Sequence, residues 1–545
     1  MRCPHYVGPK SIQFLSDHYT RPLLFSSLQH LLFSQLTPQS VWLRLEKRKT
    51  STTSKVPTEM TIKAVKFTPE VLLGAPRRSP AVPNAKGTHA LYTLSTYSFE
   101  AHKKTREIRL LDIGNGQSTL VTNDEKANEP HWLEDQIVFL KGDDKGVTKL
   151  VVADVEDVSK IYVAGDLPGP VSDFKLKVLA KGEIAVAFVG QATPDGGLFN
   201  PQTKAKKHHT GLVYDSVMVR HWDQYVTQNR NAIWYGVLQA RTPHVTEKRG
   251  RYTLSCVTNA LKGTHLESPI PPFGDSGHFD IASHGICFIA KDPTLLSASN
   301  TKANFYYLPV GDFKSETSTR PMKIQIEGLE GACSCPVFSP NGKLAAFLQM
   351  KENGYESDKN RVILIPDINH LEAASEILAS NDGKGLWDRS PGSIKWSADG
   401  RSLYLIAEEE GNGLLFKVDI PATPADMIKL PTKITTSGYL SDAYPLADDS
   451  SAIFLSSSSL IDSSLYTILD PADPSSQKVI SSNSTNGSRF GLSANQVSDI
   501  WFKGAGDYNV HALVMKPSHC KEGTKYPLAY LIHGGPQSAW GYQAS

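Results

Sequence analysis

From about residue 80 to 480 the chain repeats one motif, a short polar turn carrying Gly or Asp followed by five to eight strand-forming residues. Pro83–Gly87 precedes Thr-His-Ala-Leu-Tyr-Thr-Leu, Leu133–Asp135 precedes Gln-Ile-Val-Phe-Leu, and Lys181-Gly182 precedes Glu-Ile-Ala-Val-Ala-Phe-Val. His284-Gly285, Ser339–Gly342, Ser397–Gly400 and Ala447–Asp449 open four further apolar runs. The anchors at 87, 135, 182, 285, 342, 400 and 449 are 48, 47, 103, 57, 58 and 49 residues apart. Asn341-Gly342 and Asp399-Gly400 tolerate the positive φ that tight hairpins require. A period near 50 of strands punctuated by turns predicts a β-propeller. The gap of 103 reads as two periods, with Asn231–Leu238 as the strand of a hidden repeat, so seven or eight blades are expected over 81–490. Trp-Asp pairs occur only at Trp222-Asp223 and Trp387-Asp388, which excludes a WD-repeat scaffold.

The flanks differ. Val497–Phe502, Val510–Lys516 and Tyr526–Ile532 read as successive strands, so the repeat ends near 490 and 491–545 is expected to begin a second domain. Thr68-Pro69-Glu70 before Val-Leu-Leu supplies an N-cap oxygen, Pro at the first helical position and an acid in the first turn, which predicts a helix outside the repeat. Residues 60–80 therefore form a separate N-terminal segment. Residues 1–59 are rich in Ser, Leu and Gln and poor in acids. Pro22–Phe33 is a broken approximation to a signal h-region, and an acid-poor stretch also suits a transit peptide. The reading adopted is that residues 1–59 are disordered or a mis-assigned start. Translation from Met60 would give a cytoplasmic protein, and secretion is the alternative.

Composition narrows the function classes. The 57 basic and 55 acidic residues nearly cancel, at net +2, and no like-charge block points to nucleic acid. No run approaches 18 apolar residues, so no membrane-spanning helix is expected. Cys3, Cys256, Cys287, Cys333, Cys335 and Cys520 are irregularly spaced and read as buried or free thiols, with one disulfide open to a secreted form. Neither a metal nor a cofactor motif is present.

His533-Gly534-Gly535-Pro536 after an apolar strand is the strongest candidate for chemistry. Glycines allow main-chain N–H groups to approach a developing oxyanion, although an ordinary strand-end turn has the same composition. Gly274-Asp275-Ser276-Gly277 imitates a protease nucleophile motif, yet its neighbours Pro271, Pro272 and His278 mark it as a turn. Gly-x-Ser-x-Gly is absent from the 545 residues, so they carry no nucleophile elbow. Arg220, His221, Trp222 and Asp223 could line a substrate funnel; the plainer alternative is a blade-edge cluster with Trp222 packed and Arg220 paired to Asp223. His208-His209 reads as a solvated loop. The sequons at Asn483 and Asn486 would carry sugar only in a secretory compartment.

Several motifs occur in order: Lys66–Arg78, Tyr97–Thr105, Val219–Asp223, Phe273–Gly277 and Lys525–Gln537. Together they resemble the prolyl oligopeptidase family of serine peptidases, and within it the fungal dipeptidyl-peptidase V branch. The resemblance covers roughly 60–545. It implies a propeller that filters peptide substrates and an α/β-hydrolase domain that releases dipeptides from peptide N-termini, onto which residues 60–80 pack. Of the catalytic parts only His533, Gly534 and Gly535 match; the nucleophile, acid and histidine would fall after Ser545. The chain is thus expected to be a truncated, inactive form, with a non-catalytic peptide- or protein-binding propeller as the alternative. No cofactor is implied, and the oligomeric state is left open.

Overall fold

The computed structural model describes residues 68–545 except 180–181, 204–207, 215–217, 242–249, 422–428, 447–451, 535–537 and 544–545. The expectations for residues 1–59, for Cys3 and for the anchor at Asp449 lie outside the described residues.

Each described anchor lies between the first two strands of an antiparallel blade, and there are seven blades, the sixth and seventh sharing one eight-stranded sheet through the single parallel pair Gly413↔Tyr439. Blade 1 pairs Arg77–Arg78 and Val82–Pro83 with His89–Ser98, then Lys103–Asp112 and Ser118–Thr122. Blade 2 runs Ala127–Leu133, Gln136–Gly142, Thr148–Asp154 and Ile161–Leu167. Blade 3 comprises Ser172–Val178, Ile184–Ala192, Arg230–Ala240 and Tyr252–Leu254. Blades 4, 5, 6 and 7 begin with Phe279–Ala282, Cys333–Phe338, Pro391–Trp396 and Tyr439–Pro445, and blade 7 ends with Asp473–Ser482. From blade 2 to blade 7, the first strands of successive blades touch one another, so they surround a common axis.

The period-2 side-chain pattern explains why the second strands read as unbroken apolar runs. Alternate residues of one strand serve two different interfaces. Ile137 and Phe139 pack toward blade 1 with Leu91 and Ile108, whereas Val138 and Leu140 pack toward blade 3 with Phe174. Phe347 likewise joins the core shared with blade 4 and Leu348 the core shared with blade 6. Followed round the molecule, six apolar clusters link blades 1–2, 2–3–4, 4–5, 5–6, 6–7 and finally 7–1, where Ala81, Ala90 and Tyr92 meet Leu446, Phe454 and Tyr466. The ring is closed.

The blade count is therefore seven, and the hidden repeat is corrected. Asn231–Leu238 belongs to the third strand of blade 3, paired in register with Ile184–Ala192 from Ile184↔Leu238 to Ala192↔Arg230. The gap of 103 arises because residues 193–229 are inserted between the second and third strands of that blade. Their turn residues look like the punctuation between blades.

Among the described residues no strand is exchanged across the seam: blade 1 uses residues 77–122 and blade 7 residues 439–482. Side chains bridge it instead. The Arg78 guanidinium donates to Ser464 Oγ at 3.0 Å, Ser464 O at 2.5 Å and Ser481 Oγ at 2.8 Å. It also lies 4.3 Å from the centre of the Tyr466 ring, within cation–π range. Tyr466 donates to Ser79 O at 2.6 Å, Ala81 N donates to Ser456 Oγ at 3.0 Å, and Asn483 Nδ2 donates to Pro76 O at 3.0 Å.

The expected helix is present at Pro69–Gly74, with Thr68 Oγ1 accepting from Val71 N and Glu70 in its first turn. Beyond the ring, Val497–Lys503 and Asn509–Met515 form the two expected strands as an antiparallel hairpin. Tyr526–Ile532 is a correction: it forms no strand, because among the described residues nothing pairs with it. Leu528, Tyr530, Leu531 and Ile532 are accordingly 70–87% exposed. The five described cysteines are free thiols. No helix among the described residues is long and apolar enough to cross a membrane.

If the seam depends on Arg78, Arg78→Ala should lower stability by about 2–4 kcal/mol in urea unfolding. Arg78→Lys should recover only part of this, because an ammonium cannot occupy the forked donor positions. Arg77→Ala, one residue away and exposed, should stay within about 0.5 kcal/mol of the parent. An unchanged midpoint for Arg78→Ala would mean that apolar packing alone closes the ring.

Candidate functional site: the channel mouth and the face above it

In an antiparallel meander the turns alternate between two faces. The six described anchors lie between first and second strands, on one face of the ring. Connections between second and third strands, and between one blade and the next, lie on the other. The 193–229 insertion, the 260–278 connection and the exit of the chain from blade 7 all share that second face.

The C-terminal hairpin is seated there. Tyr542 N donates to Gly411 O at 2.7 Å, at the turn between the second and third strands of blade 6. Gly541 packs so closely on the Tyr439 ring that a Cβ would stand 2.7 Å from it. Within the hairpin, Asp499 accepts from His511 Nε2 at 2.6 Å and from the Tyr542 hydroxyl. Burial opposes ionisation of Asp499, but these two donors outweigh it and hold the carboxyl below its usual range.

The channel wall is built from the bulged first strands. Glu129, Asp173 and Cys335 adopt φ of 50°, 56° and 52°, each within a register shift of its strand. A bulge bends the strand and re-aims the side chain. Here the side chains reach round the axis to the next blade. Glu129 Oε2 accepts from Phe174 N at 2.9 Å, Asp173 Oδ1 accepts from Ser276 N at 2.8 Å, and Cys335 Sγ donates to Gly392 O at 3.4 Å. Asp280 Oδ2 continues the pattern by accepting from Phe338 N at 2.8 Å. Two ion pairs also cross between blades, Lys175 to Asp280 at 3.5 Å and Lys395 to Asp442 at 3.3 Å. Burial acts against the Lys395 ammonium, but Tyr444 and Asp442 keep its pKa above the ordinary lysine value.

Between blades 1 and 2 a cavity of about 450 Å3 is lined by Tyr92, Arg106, Asn128, Glu129 and His131, among others. Burial pushes the Glu129 carboxyl up to about 7, against the hydrogen bond from Phe174 N. Burial, aided by Lys175, lowers His131 to about 4, so its imidazole is neutral at pH 7. His131 packs edge-on against Phe174 at 5.3 Å.

The residues singled out from sequence fall in two places. Arg220-His221 pairs with Gln224-Tyr225 in a small hairpin whose turn is Trp222-Asp223. The blade-edge alternative fails in both of its particulars. Trp222 is 55% exposed, and Arg220 is paired along the backbone with Tyr225, with no ion pair to Asp223 among the described residues. Instead Trp222, at φ 52°, lies 5.1 Å from the Phe273 ring. Gly274–Gly277 is the expected turn: Asp275 caps the short 3-10 helix Ser276–His278 by accepting from Gly277 N at 2.8 Å. His533 and Gly534 are exposed, with His533 Nδ1 3.2 Å from Gly534 O; Gly535 lies outside the described residues. His208 and His209 are exposed as expected. Among the described residues no three metal-type side chains converge.

Sequence reading missed the charged channel wall. Its members occupy bulges that only strand pairing reveals. Arg78 and Phe273 stood inside segments that carry the family resemblance, but nothing in the sequence gave them roles.

The raised Glu129 carboxyl has a defined pH signature. Between the unfolded value of 4.5 and about 7 the folded protein holds a proton that the unfolded chain has lost, so stability falls as pH rises through that window. His131 acts in the opposite sense between about 4 and 6.5 and contributes nothing further above that. Glu129→Gln, which retains an acceptor for Phe174 N, should therefore lose less stability than the parent between pH 6 and 8, by about 1 kcal/mol. Parallel pH profiles in urea unfolding would show that Glu129 is not perturbed.

No family model matches the chain. It is 35% identical over 489 residues to dipeptidyl-peptidase 5 of Arthroderma otae and, at the same identity and length, to dipeptidyl-peptidase 5 of Trichophyton tonsurans. In each case the match takes in 87% of this chain and 64% of the relative, so the chain spans less than two thirds of the curated relatives it matches. Among solved structures, the acylaminoacyl peptidase of Pyrococcus horikoshii superposes with a TM-score of 0.59 at 13% identity, over 88% of this chain and 64% of that one. That likeness concerns the fold. Sequence similarity and the seven-bladed ring together make the chain similar to the dipeptidyl-peptidase 5 proteins over the part of their length that it spans.

Proposed function

We propose that the chain is the propeller-bearing part of a serine peptidase that releases dipeptides from the N-termini of peptides. The observation that carries this reading is the 35% identity to dipeptidyl-peptidase 5 over 87% of the chain. The architecture supports it. A polar channel opens on the same face as the hairpin that leads into His533-Gly534-Gly535. In acyl transfer such glycines would offer main-chain N–H groups to the tetrahedral oxyanion. Residues 68–80, anchored at the seam through Arg78, would complete the surface against which a peptidase domain rests.

The reaction needs a serine activated by a histidine and an acid, acting as a unit. The 545 residues contain no Gly-x-Ser-x-Gly, so in this reading the triad is supplied by sequence beyond Ser545. The exposed Leu528–Ile532 stretch is the segment that such a domain would pair as a strand and cover. A cytoplasmic enzyme started at Met60 is the corresponding proposal for its location, and tagged protein in the medium would instead indicate secretion.

Residues 1–545 alone should show no turnover of a dipeptidyl chromogenic substrate above a blank. Turnover abolished by substituting a residue within them would refute the assignment of the triad elsewhere. The transcript downstream of the Ser545 codon should continue in frame through a Gly-x-Ser-x-Gly motif. A stop codon there would favour a non-catalytic peptide-binding product.

A further inference from the structure

The Trp222–Phe273 pair is absorbed neither by the fold nor by the catalytic chemistry. Two large rings in mutual contact normally lie in a core, where their apolar surface is removed from water. Here Trp222 is 55% and Phe273 71% exposed. Both are held in place by the backbone around them. Trp222 takes a left-handed conformation at φ 52°, a strained position for a bulky side chain that the hairpin enforces. Phe273 is followed by Gly274, whose N–H donates to Ile270 O at 2.8 Å and where a Cβ would stand 2.5 Å from that same oxygen. Three residues on, Ser276 N is fixed to Asp173, on the bulged first strand of blade 3. The aromatic pair therefore stands at the rim of the channel, on the face that carries the C-terminal hairpin.

We propose that Trp222 and Phe273 form a platform for an apolar side chain of the peptide substrate, and so help set which peptides are accepted. The inference rests on the peptidase reading above and adds a specificity determinant to it. A peptide with a free N-terminus is the occupant that suits the local charge. Exposed Asp223 follows Trp222 directly, and exposed Asp275 lies two residues after Phe273, so carboxylates flank the rings where an ammonium group would come. Ring-on-ring contact in such a setting adds to affinity beyond the area buried.

The test uses the 545-residue chain and two synthetic tripeptide amides, Phe-Ala-Ala and Ala-Ala-Ala, with binding followed by calorimetry and saturation-transfer NMR. The Phe peptide should bind about tenfold more tightly, as expected for one added aromatic contact. Trp222→Ala and Phe273→Ala should each reduce that preference to about twofold or less. Tyr355→Ala, at an exposed aromatic elsewhere on the ring, should leave it intact. Both target rings are exposed, and an unchanged urea midpoint will confirm that each variant remains folded. Equal binding of the two peptides by the parent, including no measurable binding of either, overturns the proposal. So does a preference that survives both substitutions, as it would if the pair were a seat for another protein domain. The N-acetylated Phe peptide separates the two readings. Equal binding with the same dependence on Trp222 would uphold the platform while removing the aminopeptidase assignment.

Discussion

Everything in this molecule depends on one joint that the backbone does not cross. Six of the seven blade-to-blade junctions have a continuous chain running through them, while the seventh, between residues 439–482 and 77–122, has only side chains. A buried apolar cluster around Phe454 and Tyr466 supplies the bulk of the attraction, and Arg78 supplies direction. Apolar contact alone is indifferent to small sliding. A planar guanidinium that must meet two serines and an aromatic ring at once is not. The seam can therefore hold one register without the hydrogen-bonded ladder that an exchanged strand would have provided.

The channel shows the same logic with charges. Glu129, Asp173 and Asp280 each accept from a peptide N–H across the blade boundary, at Phe174, Ser276 and Phe338. These contacts consume carboxylate oxygens that would otherwise face the axis, which is how so many acids can line a narrow passage. Glu129 illustrates the limit of the device. One hydrogen bond does not offset its burial, and its carboxyl is left near neutrality in its titration.

Much of the ring was legible in the sequence, for identifiable reasons. Gly87, Gly182, Gly342 and Gly400 all take positive φ at the turns between first and second strands, so the punctuation reflected a backbone requirement. Strands such as Ile286–Ala290 are buried on both faces, so they appeared as runs that no surface strand would show. Blade 3 misled because an insertion between two paired strands has the same turn chemistry as a boundary between blades. Tyr526–Ile532 misled because strand propensity does not make a strand where the partner is missing. The site residues were read unevenly. Trp222 was found but Phe273, its partner in contact, was not, because a contact between residues 222 and 273 is a product of the tertiary fold.

The insertion in blade 3 has a consequence of another kind. Its two ends, Ala192 and Arg230, are directly paired at the end of a nine-residue ladder that runs without a shift down to Ile184 and Leu238. The blade is therefore already complete beneath the loop, and beyond Asn200, which is buried and donates to Lys145 O and Pro168 O, added length costs closure entropy of about 0.6 kcal/mol for each doubling. Such a position behaves as a socket. Segments of different length and composition can be grafted there, or diverge there over evolutionary time, while the ring below keeps its register. The part of this face most free to change what it meets is thus attached at the point where change disturbs the scaffold least.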